Sequence, residues 1–214
     1  MTDHTAAASE PVARAKPGRK PDPARDAEIL DVALEVLAEV GYAGMTLAAV
    51  AERARAGKST FYRRWPSKED LVLDAVARMK GGEVDVDDLP DTGALRTDLL
   101  ALFKPSSIAD GERKLRVMTG LASLLSTHPH LAKAASSAIV DPWAAALNRL
   151  MSRAADRGEI RSDAAIPALA RVVPEMAAYR ALVQRKPFEL AFLTEMIDEV
   201  LLPALAPHQP PTPH

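Results

Sequence analysis

Residues 45–73 read MTLAAVAERARAGKSTFYRRWPSKEDLVL, and this stretch decides the fold. Thr46 is placed to cap a helix that carries Leu47, Val50, Ala51 and Ala54 on one face. Arg55-Ala56-Gly57 interrupts the pattern, and a second, shorter helix is expected over about Lys58 to Arg64. Pro66 blocks its continuation, and Ser67 caps the next helix, with Glu69 and Asp70 in the first turn. Two short helices joined by a tight turn are the arrangement that lays a recognition helix against DNA.

Six basic residues lie between Arg53 and Lys68 (Arg53, Arg55, Lys58, Arg63, Arg64, Lys68) and no acidic one. The whole chain has a formal charge of -2, so this concentration is local. Lysine and arginine here can neutralise phosphates, while Ser59, Thr60 and Tyr62 can donate hydrogen bonds to phosphates or base edges. A merely solvated charged face usually mixes signs, and this one does not. Phe61 and Trp65 are read as core of a small three-helix head rather than as base-stacking groups. Lys68, at a helix N-terminus, is read as flanking a phosphate site.

The run KSTFYRRWPSKEDL resembles the helix-turn-helix of the TetR family of transcriptional repressors. The residues that carry the likeness are Thr46, Leu47, Val50, Ala51, Lys58, Thr60, Phe61, Tyr62, Trp65, Ser67, Lys68, Glu69 and Leu71. Two positions depart from the family pattern: Arg55 stands where the turn glycine is expected, and the apolar residue after it is only Ala56. A left-handed turn residue costs about 1 kcal/mol more without glycine. The resemblance implies an all-α protein with an N-terminal three-helix helix-turn-helix head and a C-terminal helical ligand-binding and dimerisation body. It implies Ser59, Thr60 and Arg63 nearest the bases, and Thr46, Lys58, Tyr62, Arg64 and Lys68 on the phosphates. It further implies a homodimer on a palindromic double-stranded DNA operator and release by a small apolar effector. Repression in place of activation rests on the resemblance alone, since an activator uses the same head.

With 214 residues, 48% of them apolar, and no cysteine, the chain can build one large or two small cores without disulfides or thiolate metal sites. A cytoplasmic location is expected, with no membrane span and no secretory signal. Residues 1–22 are rich in Ala and Pro and are expected to be disordered. Within them Arg14, Lys16, Arg19 and Lys20 form a basic arm, either laid along phosphates or the minor groove beside the recognition helix or simply a solvated tail.

The head spans 23–80. Its first helix is expected over Pro23 to Val40, stopped by Gly41, with Tyr42 filling the corner before Thr46. Leu71, Val72, Ala75, Val76 and Met79 extend an apolar face along the helix that joins head to body. The acid-rich segment EVDVDDLPD (83–91) reads as a loop or linker; it lacks the glycine and terminal glutamate of a calcium loop. The body, 92–206, is expected to hold helices at about Thr92–Phe103, Gly111–Thr127, Leu131–Arg157, Ala164–Arg185 and Phe188–Ala206. Pro142 either starts a fresh helix or kinks a continuous one. The tail, 207–214, is proline-rich and expected to be disordered.

The last two helices are apolar over more than one face, so one face needs a partner. The expected dimer interface is Val172, Val173, Leu193, Met196, Ile197, Val200 and Leu201. The resemblance implies a ligand pocket in the body, and the large flexible or aromatic residues of the middle helices are its candidates, with ordinary core as the alternative reading for each: Phe103, Met118, Leu121, Trp143, Leu147, Met176 and Tyr179. Trp143 and Tyr179 combine an apolar body with a polar handle. His128 and His130 flank Pro129 in a loop without a carboxylate or thiol nearby in sequence, so no metal site is expected. No nucleophile elbow, phosphate loop or zinc-protease motif is present, no cofactor is expected, and the chain is not read as an enzyme. The competing readings are a helical dimer acting through protein–protein contacts and a helical enzyme using the body pocket.

Overall fold

The computed structural model describes residues 23–81, 84–103 and 111–207, and every regular element among them is helical. The head is α1 (Pro23–Gly44), α2 (Leu47–Arg53), α3 (Lys58–Arg64) and α4 (Lys68–Gly81). The body is α5 (Leu95–Leu102), α6 (Gly111–Thr127), a 3-10 turn (Pro129–Leu131), α7 (Ala132–Ile139), α8 (Asp141–Asp156) and α9 (Ile166–Leu182). A last rod, α10, runs through Leu190–Glu195, a π-helical turn at Met196–Leu201 and Leu202–Leu205. The arm residues Arg14, Lys16, Arg19 and Lys20 and residues 208–214 of the tail lie outside the described residues.

Local chemistry accounts for most boundaries. Gly41 breaks α1 where its stop was expected, with φ 69 and ψ 175 inside the helical span. Ser67 Oγ accepts from Asp70 N at 3.1 Å and donates to the Asp70 carboxylate at 2.6 Å, which caps α4 as read from sequence. Pro142 begins a fresh helix: α7 ends at Ile139 and α8 starts at Asp141, so the missing proline N–H falls in a first turn, where it has no helical acceptor. Asp141 is the first residue of α8, not its side-chain cap, and pairs with Arg171 at 2.9 Å.

α5 starts three residues later than expected. Thr92 instead folds back on the fully buried Asp98, donating its backbone N–H at 2.6 Å and its hydroxyl at 2.8 Å to Oδ1. The acidic segment after Val84 is irregular, as expected, yet it is strapped down. Arg149 donates to Val86 O at 2.6 Å, Arg153 donates to Pro90 O, and Val84, Val86 and Leu89 pack on the body.

Two apolar cores result, and their border differs from the border between head and body. The first joins α1 to α4 with Val117, Met118, Leu121 and Leu124 of α6 and Ala135 and Ile139 of α7. The second joins α5, α8, α9 and α10 around Leu99, Leu147, Leu150, Met151, Leu193 and Leu201. At the crossing of α1 and α6, a Cβ built on Gly120 would sit 2.6 Å from Leu37 Cδ1 and 2.9 Å from its Cγ. Only glycine lets these helices approach so closely.

No helix among the described residues is long and apolar enough to cross a membrane. Gly120→Ala must displace the buried Leu37 side chain, and chemical denaturation is expected to show a loss of about 1–3 kcal/mol.

Candidate nucleic-acid interface and body cavity

The turn between α2 and α3 keeps its shape without the expected glycine. Arg55 occupies the left-handed region with φ 51, its N–H bonds Glu52 O at 2.9 Å, and the Ala56 N–H bonds Ala51 O at 2.8 Å. Those two bonds form a Schellman motif with arginine in the glycine position. Arg25 of α1 reaches across, its guanidinium donating to Ala54 O and, at 3.1 Å, to Arg55 O. These bonds occupy carbonyls that a helix end leaves open and help hold the unfavourable backbone conformation.

α3 divides cleanly into an inner and an outer face. Phe61 and Trp65, one turn apart, are each 1% exposed, and Trp65 Nε1 donates to Asp74 of α4 at 3.0 Å. Lys58, Ser59, Thr60, Tyr62, Arg63 and Arg64 are all exposed. Thr46 is exposed as well, with Oγ1 accepting from Ala49 N at 3.1 Å as the cap of α2.

The six cations of this region fall into two sets. Arg53 is bound to Glu39 at 2.5 Å and Glu35 at 3.4 Å in α1, and its hydrogen bond holds the Glu39 carboxyl below the usual range. Arg64 pairs with Asp26 at 3.1 Å. Lys68 donates to Tyr42 O at 2.9 Å and lies 4.0 Å from the centre of the Tyr42 ring. Arg55, Lys58 and Arg63 are exposed, and no side-chain bond engages them among the described residues. The first set fastens the head together; the second gives its outer surface positive charge.

Around Lys68 a polar cluster joins three elements. The Tyr42 hydroxyl donates to Glu69, and His128 Nε2 lies 3.5 Å from the same carboxylate. The Thr127 hydroxyl is 2.8 Å from the other ring nitrogen of His128. The Tyr42 hydrogen bond, followed by a backbone bond, holds the Glu69 carboxyl below its ordinary value. Burial, then the Glu69 carboxylate, push the Tyr42 phenol up.

Between the two cores lies a cavity of about 70 Å³. Of the seven pocket candidates, Phe103, Met118 and Trp143 line it. Leu121 and Leu147 are fully buried in the two cores, outside its lining. Met176 and Tyr179 face outward, Tyr179 with 48% of its surface exposed. Sequence reasoning missed Lys80, Lys114 and Phe188 as lining, because they lie on separate elements and share no motif.

The expected interface residues divide in the same way. Leu193, Ile197 and Leu201 are buried in the subunit's own second core, and Val173 is buried and lines the cavity. Val172 and Met196 are half-buried and Val200 is exposed. Two apolar faces on one helix look alike in sequence, so hydropathy does not separate the inner face from the outer one. The outward stripe on α9 is Met176, Tyr179 and, just past its end, Val183, at spacings of three and four; Leu169 and Val172 continue it half-buried, packed against the second core. Val183 and, at the start of α10, Leu190 are the most open, at 62% and 54%.

A helix-turn-helix head whose core continues into an all-helical body defines the class: a bacterial-type DNA-binding regulator. Residues 29–75 match the family model described as bacterial regulatory proteins, tetR family, and residues 89–200 match the tetracyclin repressor-like C-terminal domain. The chain belongs to the TetR family of transcriptional regulators. It is 36% identical over 181 residues to an uncharacterised HTH-type transcriptional regulator of Mycobacterium tuberculosis, covering 85% of this chain and 88% of that one. It is 32% identical over 188 residues to the DNA-binding transcriptional repressor TetR of Mycobacteroides abscessus, covering 86% and 95%. Among solved structures, a TetR family transcription regulator with 26% identity superposes with a TM-score of 0.61, covering 86% of this chain and 99% of that one.

A carboxyl whose pKa falls on folding contributes stability above its unfolded value, lost as pH drops through the folded one. Glu69 is such a group, so Tyr42→Phe is expected to lower stability at neutral pH and flatten its decline below the ordinary value of 4.5, read by denaturation across pH.

Proposed function

We propose that the protein is a homodimeric repressor that holds a palindromic operator and leaves it when a small effector enters the body cavity. The observation that carries the DNA part is α3 itself, apolar and buried on one side and continuously polar and basic on the other. A helix of this kind enters the major groove and reads base edges, while phosphate contacts fix its register. Ser59, Thr60 and Arg63 are assigned to the bases. Lys58, Tyr62 and Thr46 are assigned to the phosphates, with Arg64 and Lys68 as flanking contacts that must exchange or share their partners within the head. Arg14, Lys16, Arg19 and Lys20 are assigned to the flanking groove or phosphates.

One head contacts few base pairs, and a two-fold dimer supplies the second. The outward stripe of α9, with Met196 and Val200 of α10, is the proposed seam. Its apolar groups gain by leaving water only if another such surface covers them.

The effector part rests on where the cavity lies. At about 70 Å³ it is small beside the roughly 300–1,000 Å³ of ordinary ligand pockets. A ligand therefore has to push the cores apart, moving α4 and α6 relative to α9. α6 is packed on α1 through Gly120 and Leu37, so this displacement shifts the head. Ligand and operator then favour different conformers, and binding one weakens the other.

Selection of duplexes from a random pool tests the reading: a palindrome of two half-sites is expected, and enrichment of no sequence overturns it. On the selected operator, Lys58→Ala is expected to reduce the slope of log affinity against log salt by about one without changing sequence preference. Arg63→Ala is expected to cost about 1–3 kcal/mol on that operator and to relax preference at one base position. Tyr179→Glu, measured by sedimentation, is expected to shift the dimer toward monomer.

A further inference from the structure

We infer that Arg55, in the turn before α3, contacts a DNA phosphate of the operator and is kept as arginine at a cost to the fold. The inference rests on the regulator reading and adds to it a contact from outside the recognition helix. Arg55 holds φ at 51, a backbone conformation in which a Cβ is strained and glycine is not. The guanidinium of Arg25 offsets part of that strain by donating to Ala54 O and, at 3.1 Å, to Arg55 O. Glycine would close the same turn with less strain, so what arginine adds lies in its side chain.

That side chain has no task within the subunit. It is exposed, and no side-chain bond engages it among the described residues. Every acid of α1 is paired with another arginine: Asp26 with Arg64, Glu28 with Arg25, Asp31 with Arg78, and Glu35 and Glu39 with Arg53. A guanidinium left without a carboxylate suits a phosphate, which accepts from its fork in the same bidentate way. The position of the turn fits that partner. Arg25 lies in the first turn of α1, so its bond to Arg55 O sets the turn beside the start of that helix, which Arg14, Lys16, Arg19 and Lys20 precede in sequence. Three residues after Arg55 comes Lys58, the first residue of α3. Arg55 thus stands between the cations assigned to the flanking DNA and those assigned to the recognition helix.

The test uses full-length Arg55→Gly, Arg55→Gln and Arg55→Lys, with operator affinity measured across a salt series and the unfolding midpoint measured in denaturant. Arg55→Gly is expected to unfold at a higher midpoint than the unaltered protein, yet to bind the selected operator roughly tenfold more weakly. The slope of its log affinity against log salt is expected to fall by about one, with the preferred sequence unchanged. Arg55→Gln keeps a Cβ in the turn, and is expected to show the same loss of affinity and slope without the gain in midpoint. Arg55→Lys is expected to keep the slope. Unchanged affinity and slope in Arg55→Gly and Arg55→Gln overturn the contact, and a change in preferred sequence overturns its assignment to phosphate. A midpoint for Arg55→Gly no higher than that of the unaltered protein overturns the cost to the fold. Failure of the regulator reading shows separately, as absence of an enriched operator for the unaltered protein.

Discussion

The contact on which the rest depends is the close passage of α1 over α6. Gly120 brings the two backbones near enough for Leu37 to fill the space a methyl group would take. Through this crossing the apolar faces of α1 and α4 are covered by α6 and α7, and the head becomes part of a larger core. Seven-residue helices such as α2 and α3 have little stability alone. They hold their shape because Val50, Ala51, Phe61 and Trp65 are packed into that core. The outer face of α3 is thus held by a core that reaches into the body.

Electrostatics divides along the same line. Arginine and lysine are abundant on the head, yet Arg53, Arg64 and Lys68 tie α2, α3 and α4 to α1. Exposed pairs of this kind stabilise little individually. Their larger effect is to spend positive charge on orientation and to leave Arg55, Lys58 and Arg63 facing outward. Arg55 does both kinds of work: its backbone closes the turn in a conformation that favours glycine, and its side chain remains on the outer surface.

Sequence alone was enough for the head, and the reasons are local. Thr46 and Ser67 cap helices through bonds to residues three positions away, and Pro66 and Gly41 end helices by their own backbone limits. Phe61 and Trp65 fell inward because their spacing is one helical turn. The body was less legible because its decisive relations are distant in sequence. Arg149 and Arg153 each bond a carbonyl 63 residues away, and Thr92 shortens α5 by closing on a buried aspartate. Tyr179 and Trp143 are chemically similar, yet one faces solvent and the other a cavity. Leu193, Ile197 and Leu201 could not be told from Met196 and Val200 by hydropathy, since only the placement of α5 and α8 decides which stripe is inside.

The cluster of Tyr42, Lys68, Glu69 and His128 sits at the first turn of α4, where the end of α1 and the end of α6 also meet. Lys80 and the cavity lie at the opposite end, about 18 Å from Lys68 at 1.5 Å per residue. That geometry gives α4 a fulcrum at one end and an applied force at the other. Under the proposed effector reading, a push at the cavity would turn α4 about its fastened end and carry α3, next to that end, with it. Over that moment arm a displacement of an ångström or two at the cavity would become a tilt of a few degrees in the recognition helix, and in the proposed dimer that tilt would count twice in the separation of the heads.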